Sequence, residues 1–293
     1  LRDEESGVFW SPLPGPAPCG DVYEVRHGLG FTEFSCETHG IRQRVVQFVP
    51  VAGPLKMTRL TISSQTDRAR RLQFFSYHAW QLGARSPQEL RRIESRYVPE
   101  HRLLVAENRD RVIYADTVGA SALWVSGEAA SLGYTADRRE FVGSLGDLAS
   151  PLAVAQGADL SGTVGAGLDQ CAAWQTTFEL PPGASIEVAM FLGQFNSAAE
   201  AGAAIEAYRN SEAVEQSLRE VQSSWERRVT AVQIETPSPA IDVMVNRWLP
   251  YQNLSCRIWG RSSFYQGGGA YGYRDQLQDA AALMYHWPEL TRT

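Results

Sequence analysis

No apolar run in this sequence approaches the roughly 20 residues that span a bilayer. The N-terminal LRDEESGVFW lacks the basic-then-apolar order of a secretory leader. Basic excess is lacking too, since 27 Lys and Arg face 33 Asp and Glu, a formal net charge of −6. Such a balance leaves no cationic surplus to neutralise phosphates, which excludes an electrostatic nucleic-acid binder. The four cysteines, Cys19, Cys36, Cys171 and Cys256, contain no CxxC, and the five histidines form no i, i+4 pair and no HExxH. A zinc or other metal centre is therefore not expected. Thiols scattered this widely read as reduced, partly buried side chains rather than as a disulfide framework.

What is present is a chain of 293 residues with 44% hydrophobic and 20% charged content, enough for one large or two ordinary domains. Residue 1 is Leu, and the closing PELTRT follows a helix-like run without obvious closure. The expectation is a piece of a longer protein, whose membrane segments and compartment this stretch leaves open.

Residues 1–195 read as β. WSPLPGPAPCG is rich in Pro and Gly and predicts loop or sheet edge. IRQRVVQFV, MTRLTIS and LQFFSYHAW are short runs rich in β-branched or aromatic residues. In LKMTRLTIS the apolar phase slips between Met57 and Leu60, the mark of a bulge. AWQTTFEL and SIEVAMFL alternate on either side of Pro181-Pro182-Gly183 and predict an antiparallel hairpin. Many strands and frequent turn residues indicate a β-sandwich.

The period changes near residue 196. Ser197 and Glu200 have capping-box spacing before an alanine-rich helix. Val214, Leu218, Val221, Trp225 and Val229 then form one apolar stripe, read as core or docking face. VQIETPSP breaks the helix. Pro239 suits the start of the next one, with Ser238 as candidate N-cap and Ile241, Val245, Trp248, Leu249 and Gln252 on one face. RDQLQDAAALMYH predicts a further helix. Three segments result: 1–195 β, 196–237 helical linker, and 238–293 α.

The stretch most able to carry chemistry is WGRSSFYQGGGAYGYRDQLQD, Trp259 to Asp279. Gly267 to Gly269 let a backbone pass close to a ligand, the aromatics offer flat faces, and Arg261, Arg274, Asp275 and Asp279 supply directional polar groups. Taken singly these features are bland. A glycine triplet is commonly a loop, and an Arg-Asp dipeptide is commonly a surface ion pair worth little.

The order of the residues resembles the signature of glycoside hydrolase family 94, the inverting glycoside phosphorylases. AYGYRDQLQD, LRDEESGVFWSP, DRREFVG and GAGLDQCAAWQTT look most like its cyclic β-1,2-glucan synthase branch. The resemblance covers essentially the whole chain. It implies a β + α multidomain fold: an N-terminal β-supersandwich, a helical linker, and the first helices of a truncated (α/α)6 barrel. It implies β-glucan oligosaccharide and inorganic phosphate as partners, a homodimer through the sandwich domain as a further one, and no cofactor. A cytoplasmic-side position in a bacterial inner-membrane parent is also what it implies.

By the same resemblance, Arg261 matches the arginine that helps bind phosphate, a role suited to the forked guanidinium. Asp275 matches the aspartate that accepts hydrogen bonds from hydroxyls of the sugar in subsite −1; an ion pair with Arg274 is the alternative. Arg274 would orient Asp275 or the loop. Asp279, one helical turn after Asp275, is either a supporting group or a surface charge. Gln266, Tyr271 and Tyr273 are candidates to line the pocket. The run Gly267–Tyr271 lacks the second sugar-binding arginine of the disaccharide phosphorylases, which favours the oligoglucan or cyclic-glucan branch. The family's general acid is expected downstream of Thr293, so no acidic residue here is named for it, and phosphorolysis by 1–293 alone is not expected. The competing reading is a non-catalytic carbohydrate-binding or dimerisation sandwich.

Overall fold

A computed structural model of the chain describes residues 1–82, 92–109, 117–127, 131–259 and 273–292, apart from the side chains of Ser131, Asp275 and Gln276. By contacts it divides into two compact units, Leu1–Leu218 and Arg219–Thr293, a coarser division than the three segments read from periodicity. Among the described residues no helix is long and apolar enough to cross a membrane.

The first unit holds β1 (Arg2–Asp3), β2 (Glu24–Gly28), β3 (Phe31–Thr38), β4 (Ile41–Phe48), β5 (Leu55–Ser64) and β6 (Arg70–Ala79). Then come β7 (Ile93–Val98), β8 (Leu103–Asn108), β9 (Val118–Val125), β10 (Ser131–Asp137), β11 (Gln170–Leu180) and β12 (Ser185–Phe195). The short helices α1 (Arg138–Phe141) and α2 (Leu152–Gln156) lie between β10 and β11, and α3 (Ala198–Glu206) and α4 (Ser211–Val229) follow β12. The described strands form two antiparallel sheets. The small one is ordered β1-β6-β11-β10, and the large one β2-β3-β4-β5-β12-β9-β8-β7.

The sheets face one another across a shared core. Leu72, Phe74 and Trp174 of the small sheet pack with Leu60, Ile62, Leu123 and Val188 of the large one. Burying a side chain of this size contributes about 1.5–3 kcal/mol. Trp174 would bury an indole N–H at this position, and it instead donates to Ser121 Oγ of β9 at 3.0 Å. Behind the small sheet, Phe141 and Val142 at the end of α1 and Ala153 and Val154 of α2 cover Cys171 and Ala173 of β11. This second cover explains why β11 is buried at nearly every position rather than at alternate ones.

Two sequence expectations change here. β11 and β12 exist as read, but they do not pair as a hairpin. β11 pairs with β6 and β10, and β12 pairs with β5 and β9, so Pro181-Pro182-Gly183 hands the chain from one sheet to the other. Alternation reports which face of a strand is buried; it carries no information on which strand lies alongside. The phase slip in β5 is not a bulge, because its register with both β4 and β12 is continuous. Met57 and Thr58 are adjacent and both buried because both faces of the sheet are covered there. The N-terminal Pro-rich stretch is irregular, as read.

α3 packs on the large sheet against β12 and β9. Ser197 Oγ accepts from the Glu200 amide at 3.1 Å, the cap its spacing predicts, while the Glu200 carboxylate reaches back one residue further, to the Asn196 amide at 3.1 Å. Every member of the α4 stripe, Val214 to Val229, is buried. Arg59 of β5 is clamped between Glu187 of β12 and Glu215 of α4.

In the second unit α5 (Pro239–Val243), a π-helical turn (Met244–Trp248), α6 (Leu249–Asn253) and a second π-helical segment (Leu254–Trp259) run on continuously, and α7 is Tyr273–Leu283. Ser238 occupies the N-cap position but its side chain makes no capping bond. Instead Asp242 Oδ1 accepts from the Thr236 amide at 2.9 Å, and Asn246 bonds both the amide and the carbonyl of Ile234 at 2.8 Å. Ile241, Trp248 and Leu249 are exposed. The π-helical turns alter the residue spacing, so the stripe read at 3.6 residues per turn is not one covered face.

Candidate functional site

The glycine-rich run 260–272 lies outside the described residues, and with it Arg261, Gln266 and Tyr271. What the structure gives is the frame on either side. Trp259 ends the helical stretch before the run, and Tyr273 begins α7 after it. The last turns before the run and α7 are fastened together at one point. Arg257 Nε donates to Asp279 Oδ2 at 2.6 Å, and Asn253 Nδ2 donates to the Asp279 backbone carbonyl at 2.7 Å. Leu254, beside Asn253, and Leu283, one turn after Asp279, are both buried.

Trp259 is fixed from a different direction. The Arg228 guanidinium of α4 lies 5.2 Å from its ring centroid and 4.8 Å from that of Trp287. Trp225 meets Trp259 edge to face at 5.2 Å. Burial, and then repulsion from Arg227, hold the Arg228 pKa below its ordinary value, though a guanidinium remains a cation at any physiological pH. A cation ringed by indole faces is favourable, and more so where water is partly excluded.

Of the remaining sequence candidates, Asp275 lies on α7 one turn before Asp279, with its side chain outside the described set. Tyr273 and Arg274 are exposed at the start of the same helix. The Asp279 carboxylate is engaged by Arg257. Sequence reading missed Arg228, Asn253 and Arg257. Trp225, Trp259 and Trp287 are 34 and 28 residues apart in sequence, and Arg257 and Asp279 are 22 apart, so no local pattern announces either set of contacts.

The sandwich also holds a cavity of about 280 Å³ behind Phe74, Phe75, Phe141, Leu60, Val45 and Met190. Ser76 and His78 line it, and Ser76 Oγ and His78 Nε2 are buried without hydrogen-bond partners among the described residues. Burial, with a smaller contribution from Lys56, pushes the His78 pKa down to about 4. Gln47, Lys56, Thr58 and Tyr77 line the cavity as well, so polar groups stand among its apolar walls.

The family model for the glycosyl hydrolase 94 supersandwich domain matches residues 1–211. This chain belongs to glycosyl hydrolase family 94. The model for the catalytic domain of the glycosyl hydrolase 94 superfamily matches residues 224–293, which include the glycine-rich run and its frame. The family 94 chain is 35% identical over its whole length to the cyclic β-(1,2)-glucan synthase NdvB of Rhizobium meliloti (strain 1021), spanning 10% of that protein. It is 30% identical to an N,N'-diacetylchitobiose phosphorylase of Vibrio furnissii and 26% identical to a solabiose phosphorylase of Paenibacillus borealis. Again its whole length is covered, and it spans 37% of each. The family 94 chain thus joins a supersandwich domain, residues 1–211, to part of the family's catalytic domain, residues 224–293.

Proposed function

We propose that the chain supplies the phosphate-binding and sugar-binding end of an inverting β-glucan phosphorylase module, acting on β-1,2-linked oligoglucans in its full-length protein. In such a reaction inorganic phosphate attacks the anomeric carbon from the face opposite the glycosidic bond, and a general acid protonates the departing oxygen. Because phosphate is itself the nucleophile, no second carboxylate is needed to activate water. The protein must hold the anion and stabilise the charge that shifts through the transition state.

Arg261 is assigned to phosphate, as a bidentate donor to two of its oxygens. Asp275 is assigned to hydroxyls of the sugar in subsite −1, with Arg274 orienting it and Gln266, Tyr271 and Tyr273 along the pocket wall. Asp279 holds the frame through Arg257. The general acid, and the remaining helices of an (α/α)6 barrel, are proposed to follow residue 293, so residues 1–293 alone should release no sugar phosphate. The observation that carries this reading is the frame itself: both ends of the run bearing Arg261 are anchored, by Arg257–Asp279 and by the Arg228–Trp259 stack. Fixed flanks of this kind are what a positioned anion site requires of its surroundings.

The test is a two-substrate kinetic matrix on the full-length protein and its Arg261→Lys and Asp275→Asn variants. Arg261→Lys should raise the phosphate requirement and Asp275→Asn should weaken sugar handling. A phosphate dependence unchanged in Arg261→Lys would remove that assignment.

A further inference from the structure

Cys19 lies in the irregular Pro-rich segment and Cys36 on β3, and their sulfurs are 3.2 Å apart. Both are free thiols, Cys36 buried and Cys19 only partly so. Neither of the other two has a thiol neighbour of this kind: Cys171 Sγ faces the Thr135 carbonyl at 3.9 Å, and Cys256 Sγ faces Gln252 Oε1 at 3.3 Å. The segment carrying Cys19 is held in place. Its Cys19 amide donates to the Tyr23 hydroxyl at 3.0 Å, and that hydroxyl donates to the Ser11 carbonyl at 2.8 Å. A disulfide needs sulfurs about 2.05 Å apart, so a side-chain rotation closing the gap by about one ångström suffices.

We propose that Cys19 and Cys36 form a redox-active dithiol that closes to an intramolecular disulfide on meeting a low-molecular-weight disulfide. The two thiols have different chemical roles. Around Cys19, burial acts to raise the pKa, but donors to the sulfur outweigh it and leave the value lowered. The neighbours that lower it are, in order, the Tyr23 hydroxyl, the Cys36 thiol, the Asp21 amide and the Thr38 hydroxyl. At Cys36, burial and the neighbouring Cys19 push the pKa up to about 12. Cys19 is therefore the attacking thiolate and Cys36 the resolving thiol.

The steps balance. Cys19 thiolate attacks one sulfur of the oxidant and expels a small thiolate, giving a mixed disulfide. Cys36 loses its proton and attacks the Cys19 sulfur, expelling the second small thiolate. Two protein thiols are oxidised and one small disulfide is reduced to two thiols. The new bond ties the segment that walls the sandwich cavity, Ser11 to Ala17, to the large sheet. The proposal is independent of the carbohydrate reading.

The experiment treats the reduced protein with oxidised glutathione, blocks remaining thiols under denaturing conditions, digests with trypsin and weighs the peptides. The expected product joins the peptides 3–26 and 27–42 in one species lacking two hydrogens, with loss of two of the four free thiols of this chain and recovery by dithiothreitol. Cys36→Ser should stall at a mixed disulfide on Cys19, and Cys19→Ser should leave Cys36 a thiol. The oxidised protein should also unfold at higher urea than the reduced one. Four thiols retained after oxidation, a persistent mixed disulfide on Cys19 in the unsubstituted protein, or a linkage through Cys171 or Cys256 would each overturn the proposal.

Discussion

Arg257 and Asp279 stand 22 residues apart in sequence and 2.6 Å apart in space, one on each side of the glycine-rich run. The pair joins the two described flanks of that run, and its worth should be sought in positioning rather than in stability. Arg257 is about half exposed, so screening limits the pair to about 0.2–1 kcal/mol. We expect Arg257→Ala or Asp279→Ala to lower the urea midpoint slightly while cutting kcat/KM of the full-length enzyme more than tenfold, roughly 1.4 kcal/mol of transition-state stabilisation. The charge-swapped double variant, Arg257→Asp with Asp279→Arg, should recover part of the activity. No recovery together with a large loss of stability would make the pair purely structural.

Arg228→Met removes the cation from between the indoles but keeps most of the side-chain volume. The expected loss is about 0.5–2 kcal/mol in the stability of the C-terminal unit. Tryptophan fluorescence should report it, because Trp225, Trp259 and Trp287 all surround the guanidinium. A variant with unchanged emission and midpoint would show that the stack contributes nothing.

Asp3 and Arg70 form a buried ion pair in the sandwich, and Asp3 also accepts from the Glu5 and Ser6 amides, both at 2.9 Å. Burial raises the Asp3 pKa, but the Ser6 amide and Arg70 outweigh it and the net value is lowered. A depressed carboxylate stabilises above its unfolded pKa and loses that contribution as pH falls through the folded value. Asp3→Asn should cost about 3–5 kcal/mol at neutral pH by leaving Arg70 unpaired. The gap between wild type and variant in urea midpoint should narrow as pH falls below about 4. A gap constant with pH would contradict the assignment.

His78 gives the second acid-side handle. Its pKa is about 4 in the fold, against about 6.5 unfolded. The unfolded chain therefore binds the proton first, so His78 stabilises fully above about pH 6.5 and the contribution falls as pH drops toward 4. The whole effect is at most about 3 kcal/mol. His78→Phe should flatten the pH dependence of the urea midpoint in that window. An NMR titration placing the His78 ring near its ordinary value would contradict the burial argument.

How far the sequence disclosed all this depends on the range of the interaction. The Ser197–Glu200 cap and the α4 stripe are local in sequence and read correctly. The hairpin reading failed because Trp174, Thr176 and Phe178 alternate identically whether the neighbouring strand is β12 or β6. The β5 slip misled because Met57 and Thr58 are each buried by a different layer, which no single-strand pattern shows. At the proposed site, the residues named from their order include Arg261, Gln266 and Tyr271, which lie outside the described residues. The supports Arg257–Asp279, Asn253 and Arg228 depend on contacts between residues far apart in sequence, and the Cys19–Cys36 approach depends on where an irregular Pro-rich segment lies.

The central claim is that this family 94 chain builds the anion and sugar end of a phosphorylase acting on β-1,2-glucans. Its most direct test is the initial rate of glucose 1-phosphate release by the full-length protein from β-1,2-linked glucooligosaccharides with inorganic phosphate. Cellobiose at equal concentration and a phosphate-free control complete the comparison. The account predicts release that requires phosphate, favours the β-1,2-linked substrate, and in Arg261→Lys needs about 10-fold to 150-fold more phosphate, the equivalent of about 1.5–3 kcal/mol for a charged hydrogen bond. Release of free glucose irrespective of phosphate, or a clear preference for cellobiose, would contradict it.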